Sequence, residues 1–240
     1  SAGYFAVAVG RGNAVAPHSF ASLYNARSES DYSIALGYGA FSQGIATIAI
    51  GQDSDTDSDG NIAIGYGAQA LGGGGFVRGN ISIGYQAFNG ANSERNTVIG
   101  YQASCGSGNR AVAVGQNATA SGGRSVAIGT NNTTVQFGGV VIGNYSQANA
   151  ESAIAIGGYN NYANGLRSIV IGRESTATAQ DAVAIGYQIT AATASTVTIK
   201  RLQMLDYASL NYADDAAAAT GGIPLGGVYH TSGTLKIRTV

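Results

Sequence analysis

The sequence predicts an all-β chain: a parallel β-roll solenoid of about fourteen short coils, assembled as a trimer, with a small C-terminal helix and β-hairpin tip. Three observations predict it. The phrase Ser125-Val126-Ala127-Ile128-Gly129 returns, lightly edited, along most of the chain. Its closing glycines run from Gly10 and Gly37 to Gly186, mostly 14 or 15 residues apart, with longer steps of 27, 19 and 16. Self-similarity at one short period is the mark of stacked coils. Within each phrase small and branched residues alternate before the glycine, the period of a β-strand. Finally, the small-residue face is uncharged in every copy.

The elements follow in order within one coil. Val126 and Ile128 are β-branched and favour extended backbone. The glycine permits a turn or a close approach that a side chain would block. The second half, as in Asn117-Ala118-Thr119-Ala120-Ser121-Gly122, alternates again with alanines on one face. Two strands and two turns make one narrow coil, and coils stacked ~4.8 Å apart would form a rod of roughly 65 Å. On this reading the branched pair fills the coil. The small face, Ala8, Ala35, Ala49, Ala63, Ser82, Val98, Ala113, Ala127, Val141, Ala155, Val170 and Ala184, then points outward. A solvent-facing strand would carry charge over so many copies. This face is therefore expected to be buried against other chains, three around an axis covering all of it.

Repeats such as Ser125-Val126-Ala127-Ile128-Gly129 and Ala111-Val112-Ala113-Val114-Gly115-Gln116-Asn117-Ala118-Thr119-Ala120-Ser121-Gly122 resemble the head domains of trimeric autotransporter adhesins of the YadA type. The resemblance covers roughly residues 1–199. It implies a left-handed parallel β-roll that trimerises. It does not fix function, because fold and function separate readily.

Along the roll, the 27-residue step holds Phe20-Ala21-Ser22-Leu23-Tyr24, read as a degenerate copy with Tyr24 in the glycine place. The acidic loop Asp53-Ser54-Asp55-Thr56-Asp57-Ser58-Asp59-Gly60 follows. Asp55, Asp57, Asp59 and Gly60 match the first half of a calcium loop, but Tyr66 stands where its bidentate glutamate belongs. A solvated acidic turn is the competing reading. The insertion Leu71 to Asn80 is glycine-rich and offers Phe76 and Arg78 as receptor contacts. Tyr38, Tyr66, Tyr85, Tyr101 and Tyr187 each follow a glycine, so stacked coils align them into a partial ladder. Such rings either cover coil edges or bind sugars, and edge cover is the preferred reading. Cys105 is alone and reads as an incidental turn residue, with no partner for an intramolecular disulfide.

Residues 200–240 leave the repeat. Asp214-Asp215-Ala216-Ala217-Ala218-Ala219 reads as a short helix stopped by Gly221-Gly222. Gly227-Val228-Tyr229 and Leu235-Lys236-Ile237-Arg238 flank a hairpin turn, with Tyr229 and His230 as further receptor contacts at its tip. Tyr212-Ala213-Asp214-Asp215-Ala216-Ala217-Ala218-Ala219, Gly226-Gly227-Val228-Tyr229 and Leu235-Lys236-Ile237-Arg238 resemble a short C-terminal module of bacteriophage structural proteins, tail fibres included. Domains are accordingly expected at 1–199, the roll, and 200–240, the tip or cap. The chain opens in mid-repeat at Ser1 and reads as a segment of a longer protein.

Composition excludes several classes. Charged residues are 10% and the net charge is −1, so no basic stripe awaits nucleic acid and no cationic amphipathic segment awaits a membrane. No apolar run approaches a membrane span. His18 and His230, the only histidines, lie at opposite ends. The Asp214-Asp215 pair sits where helix capping explains it. An enzyme would show paired carboxylates in a groove; a non-enzyme is expected. No cofactor is expected either, calcium at Asp55, Asp57 and Asp59 being the open alternative. The expected function is structural and adhesive. The chain reads as a trimeric tail-fibre or receptor-binding segment of a phage virion that contacts a host-surface glycan or protein and other virion proteins. The alternatives are a bacterial autotransporter adhesin head on the cell surface and a capsid decoration protein.

Overall fold

The structure is a computed structural model that describes residues 3–72, 79–90, 93–106, 109–200 and 207–240. It divides into two compact units, Ser1–Lys200 and Arg201–Val240.

The first unit is a parallel β-solenoid. Among the described residues one sheet has 14 strands, from Val7–Val9 to Val197–Ile199, and the other has 13, from Asn13–Ala14 to Thr190–Ala191. Successive strands alternate between the sheets, so each coil gives a longer strand to the first and a two-residue strand to the second. We call these the long-strand and short-strand sheets. Neighbours pair in register, as in Val112↔Val126, Ala113↔Ala127 and Val114↔Ile128. Both corners of a coil use a left-handed residue, as at Asn117 (φ 51°) and Arg124 (φ 56°). At the glycine corner the constraint is tighter. Gly129 has φ +118°, and a Cβ there would sit 1.9 Å from the Gly143 carbonyl oxygen of the next coil. In this coil the position has no room for a side chain, which explains why most coils keep a glycine there.

The strand periodicity holds, but the two faces are exchanged. Ala127 is fully buried inside its own coil, as are Ala35, Ala49, Ala63, Ser82, Val98, Ala113, Val141, Ala155, Val170 and Ala184. Ala8, in the first strand of the stack, is exposed. Val126 and Ile128 point out of the coil, and Ile128 is 37% exposed. The expectation that small residues face other chains is therefore wrong. Sheets packed through full-sized side chains lie ~10 Å apart. Turns of a few residues hold these two sheets too close for branched pairs on both sides. Small residues fill the gap, with a valine tolerated at intervals. Ala118 and Ala120 close the same interior from the short-strand sheet.

Three asparagines of this interior, Asn61, Asn80 and Asn96, are paired along the stack. The Asn80 N–H donates to Asn61 Oδ1 at 2.9 Å, the Asn96 N–H to Asn80 Oδ1 at 3.0 Å and the Ala111 N–H to Asn96 Oδ1 at 2.8 Å. Each amide side chain thus replaces a carbonyl the coil would otherwise lack. The degenerate copy is also corrected. Register pairs Ser22 with Leu36, so Tyr24 lies opposite Tyr38 and Leu23 takes the glycine place, at φ 82°.

In the second unit, Tyr207–Leu210 forms a 3-10 turn and Asp215–Thr220 a short α-helix. Asp214 caps the helix, accepting from the Ala217 N–H at 2.8 Å. Val228–Thr231 and Thr234–Ile237 pair as an antiparallel hairpin.

Candidate functional site: the outer faces of the solenoid

Because the coil keeps its small residues inside, its branched residues form a continuous outer ladder. Ile99, Ile128, Ile142, Ile171 and Ile185 are all more than a third exposed, and Ile171 reaches 43%. Val112, Val126 and Val140 flank this row in the same sheet and are half-buried by their neighbours. Contiguous apolar surface of this extent marks an interface.

The outer side of the short-strand sheet is mixed in character. Its ladder reads Asn13, Arg27, Phe41, Asp55, Gln69, Phe88, Ser104 and Thr119. Arg27 lies over the Phe41 ring, 5.2 Å from its centroid. Such a face can stay in water.

The glycine corner carries the tyrosine column. Tyr66, Tyr85 and Tyr101 stack at 5.1 and 5.0 Å, nearly parallel. Tyr38 stacks on Tyr24 at 5.4 Å, and Arg173 lies over Tyr187. About half of the ring faces in this column are thus spent on one another, and the column serves as a cover for coil edges. The opposite corner repeats the device near the start of the chain, where Phe5, His18 and Tyr32 stack at 5.5 and 4.8 Å. His18 belongs to that stack. Next to Tyr66 a surface cleft of about 370 Å³ is lined by Asp53, Tyr66, Gly67, Gln69, Gln86 and Phe88. Aligning the coils on their closing glycines places Gly67 in one corner column with Gly39, Asp53 and Gln86, but the cleft itself exists only in the folded stack.

The acidic run is not one loop. It spans a turn, the strand Asp55–Thr56 and the next turn. The Asp59 carboxylate accepts the Ile45 N–H at 2.9 Å, and Asp57 accepts the Gly72 N–H at 2.5 Å. Partial burial and the neighbouring Asp57 push the Asp55 carboxyl upward in pKa. Among the described residues no three His, Cys, Asp or Glu side chains gather as a metal site requires.

Phe76 and Arg78 lie outside the described residues. Tyr229 and His230 are described, and both are buried within the second unit. Tyr229 donates to Asp215 Oδ1 at 2.5 Å, while His230 stacks on Tyr207 at 3.9 Å. Asp215 Oδ2 also receives the Thr239 N–H and hydroxyl and the Val240 N–H. These bonds hold the Asp215 carboxyl well below the usual range and raise the Tyr229 phenol to about 12. Tyr229, expected at a contact surface, instead helps tie helix, hairpin and chain end together through Asp215, and His230 packs on the 3-10 turn. Cys105 sits in the strand Ser104–Cys105 rather than a turn, fully buried, with its thiol pushed up to about 12 by burial.

Among the described residues no helix is long and apolar enough to cross a membrane. No curated protein matches the chain by sequence. The family model of the YadA head domain repeat matches residues 24–40, 28–54, 107–132, 137–160 and 163–188. These stretches run through both sheets and include the glycine corners and the small-residue interior described above. Within the parallel β-solenoid of Ser1–Lys200, these stretches are YadA head domain repeats.

Proposed function

We propose that the chain is a non-enzymatic attachment protein, working as a homotrimer in which the long-strand sheets of the solenoid unit meet around one axis. The YadA head repeat is an adhesin fold, which supports an adhesin-like structural protein at a surface exposed to the outside. The observation that carries the trimer is the exposed Ile99, Ile128, Ile142, Ile171 and Ile185 ladder. A single coil has no room to bury it. One flat apolar face per chain suits closure around a threefold axis, with the mixed short-strand faces left outside.

The protein's place is on a phage virion, as a tail-fibre or receptor-binding segment that reaches the host bacterial surface. The C-terminal stretches quoted above support that setting by resemblance. The same repeats fit the head of a bacterial autotransporter adhesin equally well, so this second reading stands beside it. Immunogold labelling with an antibody to the chain separates the two: particles labelled in a lysate favour the virion, labelled cell envelopes the adhesin.

The trimer is tested by sedimentation at low and high concentration. A stable mass of three chains is expected. The pair Ile128→Asp and Ile142→Asp should yield monomers that keep the β signal in circular dichroism. A wild-type chain that is monomeric at every concentration overturns the proposal.

A further inference from the structure

We infer that the cleft at Gly67 is a binding site for a neutral pyranose sugar, a reading that rests on the attachment role proposed above. The corner position two residues after the coil glycine forms a column through the stack. In successive coils it holds Asp53, Gly67, Gln86, Gln102 and Asn117. The side chain missing at Gly67 opens the cleft of about 370 Å³, within the roughly 300–1,000 Å³ of small-ligand sites.

Its walls have the two characters a pyranose needs. Tyr66, just before Gly67, and Phe88, opposite Gln69 in the next coil, are exposed rings, 45% and 38% in solvent. Tyr66 stacks on Tyr85 only on one side; its neighbour in the column on the other side is Gln52. An aromatic surface left open here suits the C–H face of a sugar ring. The polar walls are amides and one carboxylate. Gln102 Nε2 donates to Gln86 Oε1 at 2.9 Å, which fixes that amide and leaves its N–H groups to donate. Gln52 Nε2 donates to Asp53 Oδ2 at 3.2 Å and steadies the carboxylate as an acceptor. The Gln69 amide adds a donor and an acceptor. No Lys or Arg lines the cleft, and Asp55 is the ladder neighbour of Gln69. The local charge is negative, which selects a neutral sugar over sialic acid or a phosphate. The cleft opens at the glycine corner and the short-strand face, so it does not compete with the isoleucine ladder for the trimer axis.

The test uses substitutions that the same columns already carry. Gly67 has φ +59°, and a Cβ there meets only Gln86 Cγ at 3.5 Å. Asn117 occupies the equivalent position at φ 51°. Gly67→Asn therefore fills the cleft at little backbone cost, asparagine being among the residues that adopt this conformation most readily. Phe88→Ser copies Ser104, its partner in the next coil. Saturation-transfer NMR of the full chain with maltose, lactose and N-acetyllactosamine, and with sialyllactose as the charged probe, should show transfer from at least one neutral sugar. Sialyllactose should compete no better than its lactose part. Gly67→Asn should abolish the signal, and Phe88→Ser should weaken it about tenfold, with mass and melting unchanged. No transfer from any neutral probe, or full transfer to Gly67→Asn, overturns the inference. Binding of the chain to bacterial cells separates this failure from that of the attachment role. Equal adherence of wild type and Gly67→Asn sinks the cleft alone, and a trimer that adheres to no cell sinks the attachment role itself.

Discussion

Gly129 shows how much a single position can demand. Its φ of +118° and the Gly143 oxygen 1.9 Å from an added Cβ leave no room for relief. Gly129→Ala should cost about 1–3 kcal/mol in strain before any displacement of the next coil, read as a lowered unfolding midpoint. Asn80 makes the opposite kind of demand, through what it pairs. Its Nδ2 donates to Ser93 O at 2.8 Å and its Oδ1 accepts the Asn96 N–H, all in the buried interior. Asn80→Ala leaves both groups unpaired and should cost about 1–3 kcal/mol by denaturant titration. Cys105, by contrast, should stay unmodified by a thiol reagent in the native chain and react only on unfolding, since burial holds its thiol near 12.

A strand of the long-strand sheet has one face for its own coil and one for a partner, and substitutions should separate them. Ala127→Asp places a charge in a fully buried slot and should prevent folding, seen as loss of the β signal. Ile128→Asp adds a charge on the outer face and should spare the coil while weakening assembly. In the second unit the helix start, hairpin and chain end meet at Asp215. Its folded pKa is depressed, so its contribution is present above the ordinary carboxylate range and fades as pH falls below about 4. Near-ultraviolet circular dichroism of the tyrosines should report acid loosening below that pH. Asp215→Asn should show a smaller acid response from a less stable start.

Across the full chain, the repeat, its period of about fourteen residues, the strand alternation and the corner glycines were legible, because each is imposed locally by backbone sterics. The C-terminal helix and hairpin were legible for the same reason: Asp214, Gly221 and Gly233 mark their ends. Periodicity of two says that Ala127 and Ile128 face opposite ways. It does not say which way is in. That choice depends on the distance between two sheets, which the turns set only once the coil closes. The positions of Tyr229 and His230 inside their unit, the division of the acidic run between turn and strand, and the cleft beside Gly67 have the same origin. Each depends on what a neighbouring coil or strand brings alongside, and that proximity exists only in the folded stack.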